Sequence, residues 1–197
     1  MKVNGTALQT IWFDDAQGVV CTFDQRLLPH QLKVVALRNT NEVATAISEM
    51  WLRGAPLIGA AAAYGMYFAA CEAQNQPDAD AYIAAKAAQL IATRPTAINL
   101  IWAVRRLQKA MQNRAFTADK VACAKAEAAQ IVVEDVEICK QIGAHGLPII
   151  EALSQQKQGA TVNILTHCNA GWVACVDWGT ATSPIYQAHD KGIKIHI

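Results

Sequence analysis

The sequence predicts an α/β protein: a small N-terminal antiparallel sheet, then a helical region, then the opening of a parallel sheet. Three observations carry this reading. Short runs rich in β-branched and aromatic residues fall between about residues 9 and 37. Apolar residues then recur at helical spacing from about residue 41 to residue 153. After the polar run SQQKQGA the pattern changes to strand, loop and helix, then strand.

The runs IWF, GVVCTF and LKVVAL predict three strands, with the segment Asp24 to Pro29 (DQRLLP) as a break between the second and third. Val43, Ala46, Ile47 and Met50 share a helix face, so a first helix begins near Asn41. Pro56 suits the first turn of a second helix running to Cys71, because its missing N–H has no partner there in any case. Residues 74–80 read as a loop and 81–92 as a third helix. Pro95 predicts the start of a fourth, ending near Asn113. Thr117 to Gly143 predicts a fifth helix, ended by the glycines and proline up to Pro148, with a short helix over Pro148 to Leu153. TVNILTHC and IKIHI read as strands flanking a helix, a βαβ unit. A single such unit cannot cover both faces of a parallel sheet, so the second domain reads as incomplete. The expected division is residues 1–153 and residues 160–197.

The chain of 197 residues is 53% apolar and 17% charged, which suits a packed globular core without staples. Its net charge of +1, with no basic tract, argues against nucleic-acid binding. The uncharged stretch from Gly54 to Cys71 approaches membrane-spanning length, but its Ala and Gly content favours a buried helix. Six cysteines without a C-x-x-C pair, and an N-terminus unlike a signal peptide, point to free thiols in a reducing cytoplasm.

Three segments could carry chemistry. Leu52-Arg53-Gly54-Ala55-Pro56 places an arginine and a glycine at a helix start, where free amides and the helix dipole favour an anion. A surface arginine before a core helix would look the same. Thr93-Arg94-Pro95-Thr96 repeats the arrangement, again against the bland reading of a coincidental helix start. Thr166-His167-Cys168-Asn169-Ala170-Gly171 puts Cys168 at the carboxyl end of an expected parallel strand, where open α/β sheets bind ligands. A buried structural cysteine is the alternative. Cys168 and Cys175 have no evident third or fourth partner, so no metal site is expected. Asp177, beside Trp178, reads either as a buried acid or as a capping side chain. The acidic run from Glu134 to Glu137 reads as a helix face, with Glu134 or Asp135 free to pair with an arginine.

Taken in order, DQRLLP at 24–29, RGAPLIGAAAAYG at 53–65, TRPTAINL at 93–100, EDVEICKQIGAHG at 134–146, LTHCNAG at 165–171 and WGTA at 178–181 resemble the methylthioribose-1-phosphate isomerase family along nearly the whole chain. The resemblance implies a small N-terminal sheet, a helical region and a Rossmann-like parallel-sheet domain, here incomplete. It implies an aldose–ketose isomerase that converts 5-methylthioribose 1-phosphate to 5-methylthioribulose 1-phosphate in methionine salvage, with no metal or organic cofactor. By resemblance Cys168 is catalytic, and Arg53, Gly54, Ala55 and Arg94 bind the sugar phosphate. The full-length family member is expected to be a cytoplasmic homodimer. Its chain is nearly twice as long, and its catalytic aspartate matches no residue here, so this chain alone is expected to be inactive or nearly so. Trp172 and Asp177 depart from the smaller residues common after NAG, which leaves a 5-deoxyribose-1-phosphate substrate open. Ribose-1,5-bisphosphate isomerase and the noncatalytic regulatory subunits of the translation-initiation exchange factor share the architecture and stay open as alternatives.

Overall fold

The computed structural model describes residues 1–3 and 5–197. The first elements are β1 (Lys2–Val3) and β2 (Thr6–Ala7), a two-stranded ribbon that the sequence reading did not anticipate. The three expected strands follow as β3 (Ile11–Asp14), β4 (Val19–Phe23) and β5 (Val34–Leu37), antiparallel in the order β3-β4-β5. Every residue of β4 is buried, as expected of a central strand covered on both faces. Asp24 accepts from the Arg26 N–H and starts a single 3-10 turn over Gln25–Leu27, which accounts for the break in DQRLLP.

Five helices form the bulk of the molecule. α1 (Thr40–Ser48) is capped by Asn39, whose side chain accepts from the Glu42 N–H at 2.9 Å. α2 (Ala55–Ala73) is the central helix. It packs against α1, and also against α3 (Ala79–Thr93), α4 (Ile98–Met111) and α5 (Thr117–Gln156). Its Ala and Gly side chains allow this on all sides, because small residues let neighbouring helices approach. A Cβ at Gly65 would sit 3.0 Å from Leu90 of α3, and one at Gly59 3.1 Å from the Asn99 carbonyl oxygen of α4. The uncharged stretch is thus a core helix, and no helix among the described residues is long and apolar enough to cross a membrane. α4 shows the amphipathic pattern in full: Leu100, Ala103, Val104, Leu107 and Met111 are buried at helical spacing. Full burial of a leucine such as Leu100 contributes roughly 1.5–3 kcal/mol.

Two helix boundaries differ from expectation. α3 begins at Ala79 rather than residue 81 because Asp78 caps it, accepting from the Ala81 N–H. Pro95 does not open α4. It ends α3 instead: a residue before proline is pushed out of the α region, and Arg94 sits at φ −148°, ψ 82°. The chain then turns, with the Ala97 N–H donating to the Arg94 carbonyl, before α4 starts at Ile98.

The larger difference is α5. It is one helix of 40 residues that carries Pro148 inside it, where the sequence suggested a stop and a second short helix. Gly143 and Gly146 are not stop signals. They seat α6 (Ser183–Asp190): a Cβ on Gly143 would lie 2.3 Å from the Ser183 Oγ, and one on Gly146 2.9 Å from the Pro184 Cβ. The polar tail SQQKQGA supplies the last helical residues and then a turn, not an extended linker. Beyond it, β6 (Val162–Asn163) and β7 (Ile195–His196) pair in parallel with α6 between them, so the βαβ unit is present with shorter strands than expected.

Candidate active site

α2 rises from the same end of the bundle at which α3 finishes and α4 begins. The α2 start is built on Gly54, at φ 110° and ψ 133°, a conformation that L side chains rarely adopt. Sequence reading assigned Gly54 a close approach to a ligand. The structure shows a close approach to the backbone of Ala174: a Cβ at Gly54 would lie 2.3 Å from the Ala174 carbonyl oxygen. This contact brings RGAP and the NAGW loop together. Arg53 and Ala55 are exposed on either side of it, and the Ile58 N–H is the first donor of the α2 ladder, returning to the Gly54 carbonyl at 2.9 Å. Arg94 is half-buried in the α3–α4 connection at that end of the bundle.

The loop that carries Cys168 is anchored from several directions. Residues 172–174 form a 3-10 turn. Gln25 Nε2 donates to the Val173 carbonyl at 2.7 Å, and the Thr10 N–H donates to the Val176 carbonyl at 3.0 Å, tying the loop to the N-terminal sheet. Gly179 closes it on itself: at φ +76°, a Cβ there would lie 2.4 Å from the Gly171 carbonyl carbon. The WG of WGTA is therefore a packing requirement. Trp172 packs edge-on against Phe23 with centroids 5.9 Å apart.

Cys168 is exposed, which sets aside the reading as a buried structural thiol. It does not sit at the strand end. β6 stops at Asn163, and the Ile164 N–H makes the last bond of the ladder, to the His196 carbonyl. Nor does a helix follow it directly, since α6 starts only at Ser183. Cys168 is one of four non-glycine residues among those described that adopt a positive φ, at 71°, with Met50, Gln158 and Trp178. Such strain costs of order 1–3 kcal/mol and clusters at functional positions.

Asp177, the other acid singled out in the sequence, is engaged by the N-terminal ribbon. Its carboxylate takes the Met1 amino group and accepts from the Trp178 N–H at 2.8 Å, and it borders a cleft formed with Ala7, Leu8, Gln9 and Trp12. In the acidic run, Glu134 pairs with Arg106, which also holds Glu127. The hydrogen bond to the Arg106 guanidinium holds the Glu134 carboxyl below the usual carboxylate range. Asp135 turns the other way, accepting from the Val176 N–H at 2.7 Å, and burial pushes its carboxyl up. It meets Cys139 and Cys175, and the ligand atoms of the three lie within 4.8 Å of one another. The structure therefore pairs Cys175 with Cys139 rather than with Cys168. Asp135 and Cys139, four apart on one helix, were a legible pair whose partner the sequence did not reveal.

Fold and site together define an α/β protein in which a helical bundle and a strand–helix–strand segment meet where the Gly54 helix start rests against Ala174 of the loop that follows an exposed thiol. The chain belongs to the initiation factor 2 subunit family, whose pattern matches residues 52–197. It is 50% identical over 197 residues to the methylthioribose-1-phosphate isomerase of Cereibacter sphaeroides, covering 100% of this chain and 52% of that protein. It is 47% identical to the Desulfosudis oleivorans protein of the same name, over 95% of this chain and 51% of the relative. The crystal structure of 5-methylthioribose 1-phosphate isomerase from Pyrococcus horikoshii superposes with a TM-score of 0.81 at 32% identity, covering 98% of this chain and 54% of that one. The translation initiation factor eIF-2B subunit delta from A. fulgidus gives 0.80 at 35% identity, covering 96% and 53%. The chain thus spans about half the length of the relatives it matches.

Proposed function

We propose that this chain forms the Cys168-bearing half of an aldose–ketose isomerase acting on 5-methylthioribose 1-phosphate. The observation that carries the reading is the exposed, backbone-strained Cys168 in the loop held against the Gly54 helix start. Identity of 45–50% to proteins named methylthioribose-1-phosphate isomerase supports it along the whole chain. In this reading Arg53, the Gly54 and Ala55 backbone, and Arg94 grip the phosphate, since guanidinium forks and free helix-start amides suit its oxygens. The phosphate on the anomeric carbon blocks simple ring opening, so a proton must reach the ring oxygen. A hydrogen then moves from C2 to C1, and Cys168 acts at that step as base or as stabiliser of the charge that develops. The second catalytic group comes from outside these residues. We further assign residues 1–153 and 160–197 to two domains of a cytoplasmic homodimer.

The test is isomerase turnover of the intact protein carrying this sequence, with and without Cys168→Ala. Loss of the thiol should lower kcat by about 10²–10⁴-fold, the usual worth of a positioned acid–base group. Turnover within a few-fold of the parent would sink the reading. Running the reaction in D₂O separates the two roles: deuterium at C1 of the product supports a base that exchanges with solvent, and its absence supports direct transfer. The high similarity to eIF-2B subunit delta favours a second reading, an assembly subunit without turnover. Unchanged subunit binding by Cys168→Ala, with no isomerisation by the parent, would select it.

A further inference from the structure

We propose that Asp135, Cys139 and Cys175 form a binding site for a thiophilic divalent cation of the Zn²⁺ class. Asp135 and Cys139 lie one helical turn apart on α5 and project from the same face, a spacing suited to two ligands of one ion. Cys175 reaches them from the loop that follows the 3-10 turn at residues 172–174. All three ligand atoms fall within 4.8 Å of one another. With bonds of about 2.3 Å to sulfur and about 2.0–2.2 Å to oxygen, a tetrahedral site needs ligand separations of about 3.5–3.8 Å. The cluster therefore has to contract by roughly 1 Å, within the reach of side-chain rotation.

The surroundings are those of a ligand set rather than of three unrelated side chains. The Val176 N–H donates to Asp135 Oδ2 at 2.7 Å, which orients the carboxylate and leaves Oδ1 for an ion. Cys139 and Cys175 are 0% and 1% exposed, Trp178 packs over them, and half-buried Asp135 leaves the way in. Among the described residues, no arginine or lysine pairs with Asp135, so its charge has no protein partner to offset it. A disulfide between the two thiols would leave Asp135 Oδ1 without a partner, whereas a cation engages all three groups. Two sulfurs and a single oxygen suit Zn²⁺ and its analogues and offer Mg²⁺ or Ca²⁺ too few hard ligands. On binding, the thiols release their protons to solvent. The ion would clasp α5 to the loop whose Ala174 rests against Gly54, making it a structural staple of that loop.

The test is titration of the metal-stripped, reduced protein with Co²⁺, a spectroscopic stand-in for Zn²⁺. One equivalent should produce a thiolate-to-cobalt charge-transfer band, Zn²⁺ should displace it, and Mg²⁺ should not. Cys139→Ala and Cys175→Ala should each abolish the band, while Cys168→Ala should retain it. Asp135→Asn still accepts from the Val176 N–H and should keep the fold, and it should weaken Co²⁺ by about 10-fold or more. That variant carries the test if the cysteine variants unfold. No band in the parent, unchanged affinity in Asp135→Asn, or a band that disappears with Cys168 alone would overturn the proposal.

Discussion

Two residues show how the backbone, more than side-chain chemistry, shapes the site. Gly54 combines a positive φ with contact against Ala174, so a side chain there is strained twice. We expect Gly54→Ala to destabilise by at least about 2 kcal/mol in urea unfolding, against about 1 kcal/mol for Gly18→Ala, whose φ is +66° but whose Cβ meets open space. Equal costs would show that the contact with the loop is immaterial. At Cys168 the same strain is borne by a non-glycine residue. Cys168→Gly should therefore be more stable than Cys168→Ala by about 1 kcal/mol or less, the relief of strain being partly cancelled by glycine's entropy in the unfolded chain. Near the loop's anchor, the Arg26 side chain beside Asp24 holds that carboxyl below its ordinary value of 3.8. A lowered folded value stabilises above pH 3.8 and loses its effect as pH falls through the folded value. Arg26→Gln should accordingly cost more stability at pH 6 than at pH 2, which unfolding curves at the two pH values would read.

At the scale of elements, α5 is the part that local grammar misjudges. Gly143, Gly146 and Pro148 read as a helix end, and each exists for another reason or at a cost. The glycines admit α6, and exposed Pro148 interrupts one hydrogen bond of a helix held in place by its neighbours. Because Pro148 is on the outside, Pro148→Ala should raise stability by about 1–3 kcal/mol. Gly143→Ala should instead separate α5 from α6 and lower it. A Pro148→Ala variant no more stable than the parent would mean that the helix uses its irregularity there. Pro95 teaches the converse: it was legible as a boundary, but as the end of α3 rather than the start of α4, since its steric effect falls on Arg94.

Across the whole molecule, the core sits around α2, and the outer side of α5 is left bare. Ile138, Ile142, Ile149 and Leu153 repeat at helical spacing and are exposed, Ile149 to 66%, and Leu165 is 98% exposed. Runs of this kind exceed the scattered apolar residues usual on a surface. The 197-residue chain by itself should therefore bind a hydrophobic dye and self-associate as its concentration rises. Ile138→Lys with Ile149→Lys should suppress both, as read by dye fluorescence and light scattering.

The amino-acid sequence by itself determined the class of fold, the three-stranded sheet, the cores of the six helices and the motifs RGAP and THCNAG. All of these rest on local periodicity, turn residues and backbone preferences that act over a few positions. Only the tertiary structure decided that α5 runs unbroken through Pro148, that Gly54 meets Ala174 rather than open space, and that Asp177 pairs with the Met1 amino group. It alone joined Asp135 and Cys139 to Cys175 across the fold. These outcomes depend on contacts between segments far apart in the chain, where packing outweighs local preference and no spacing in the sequence records which side chains will meet.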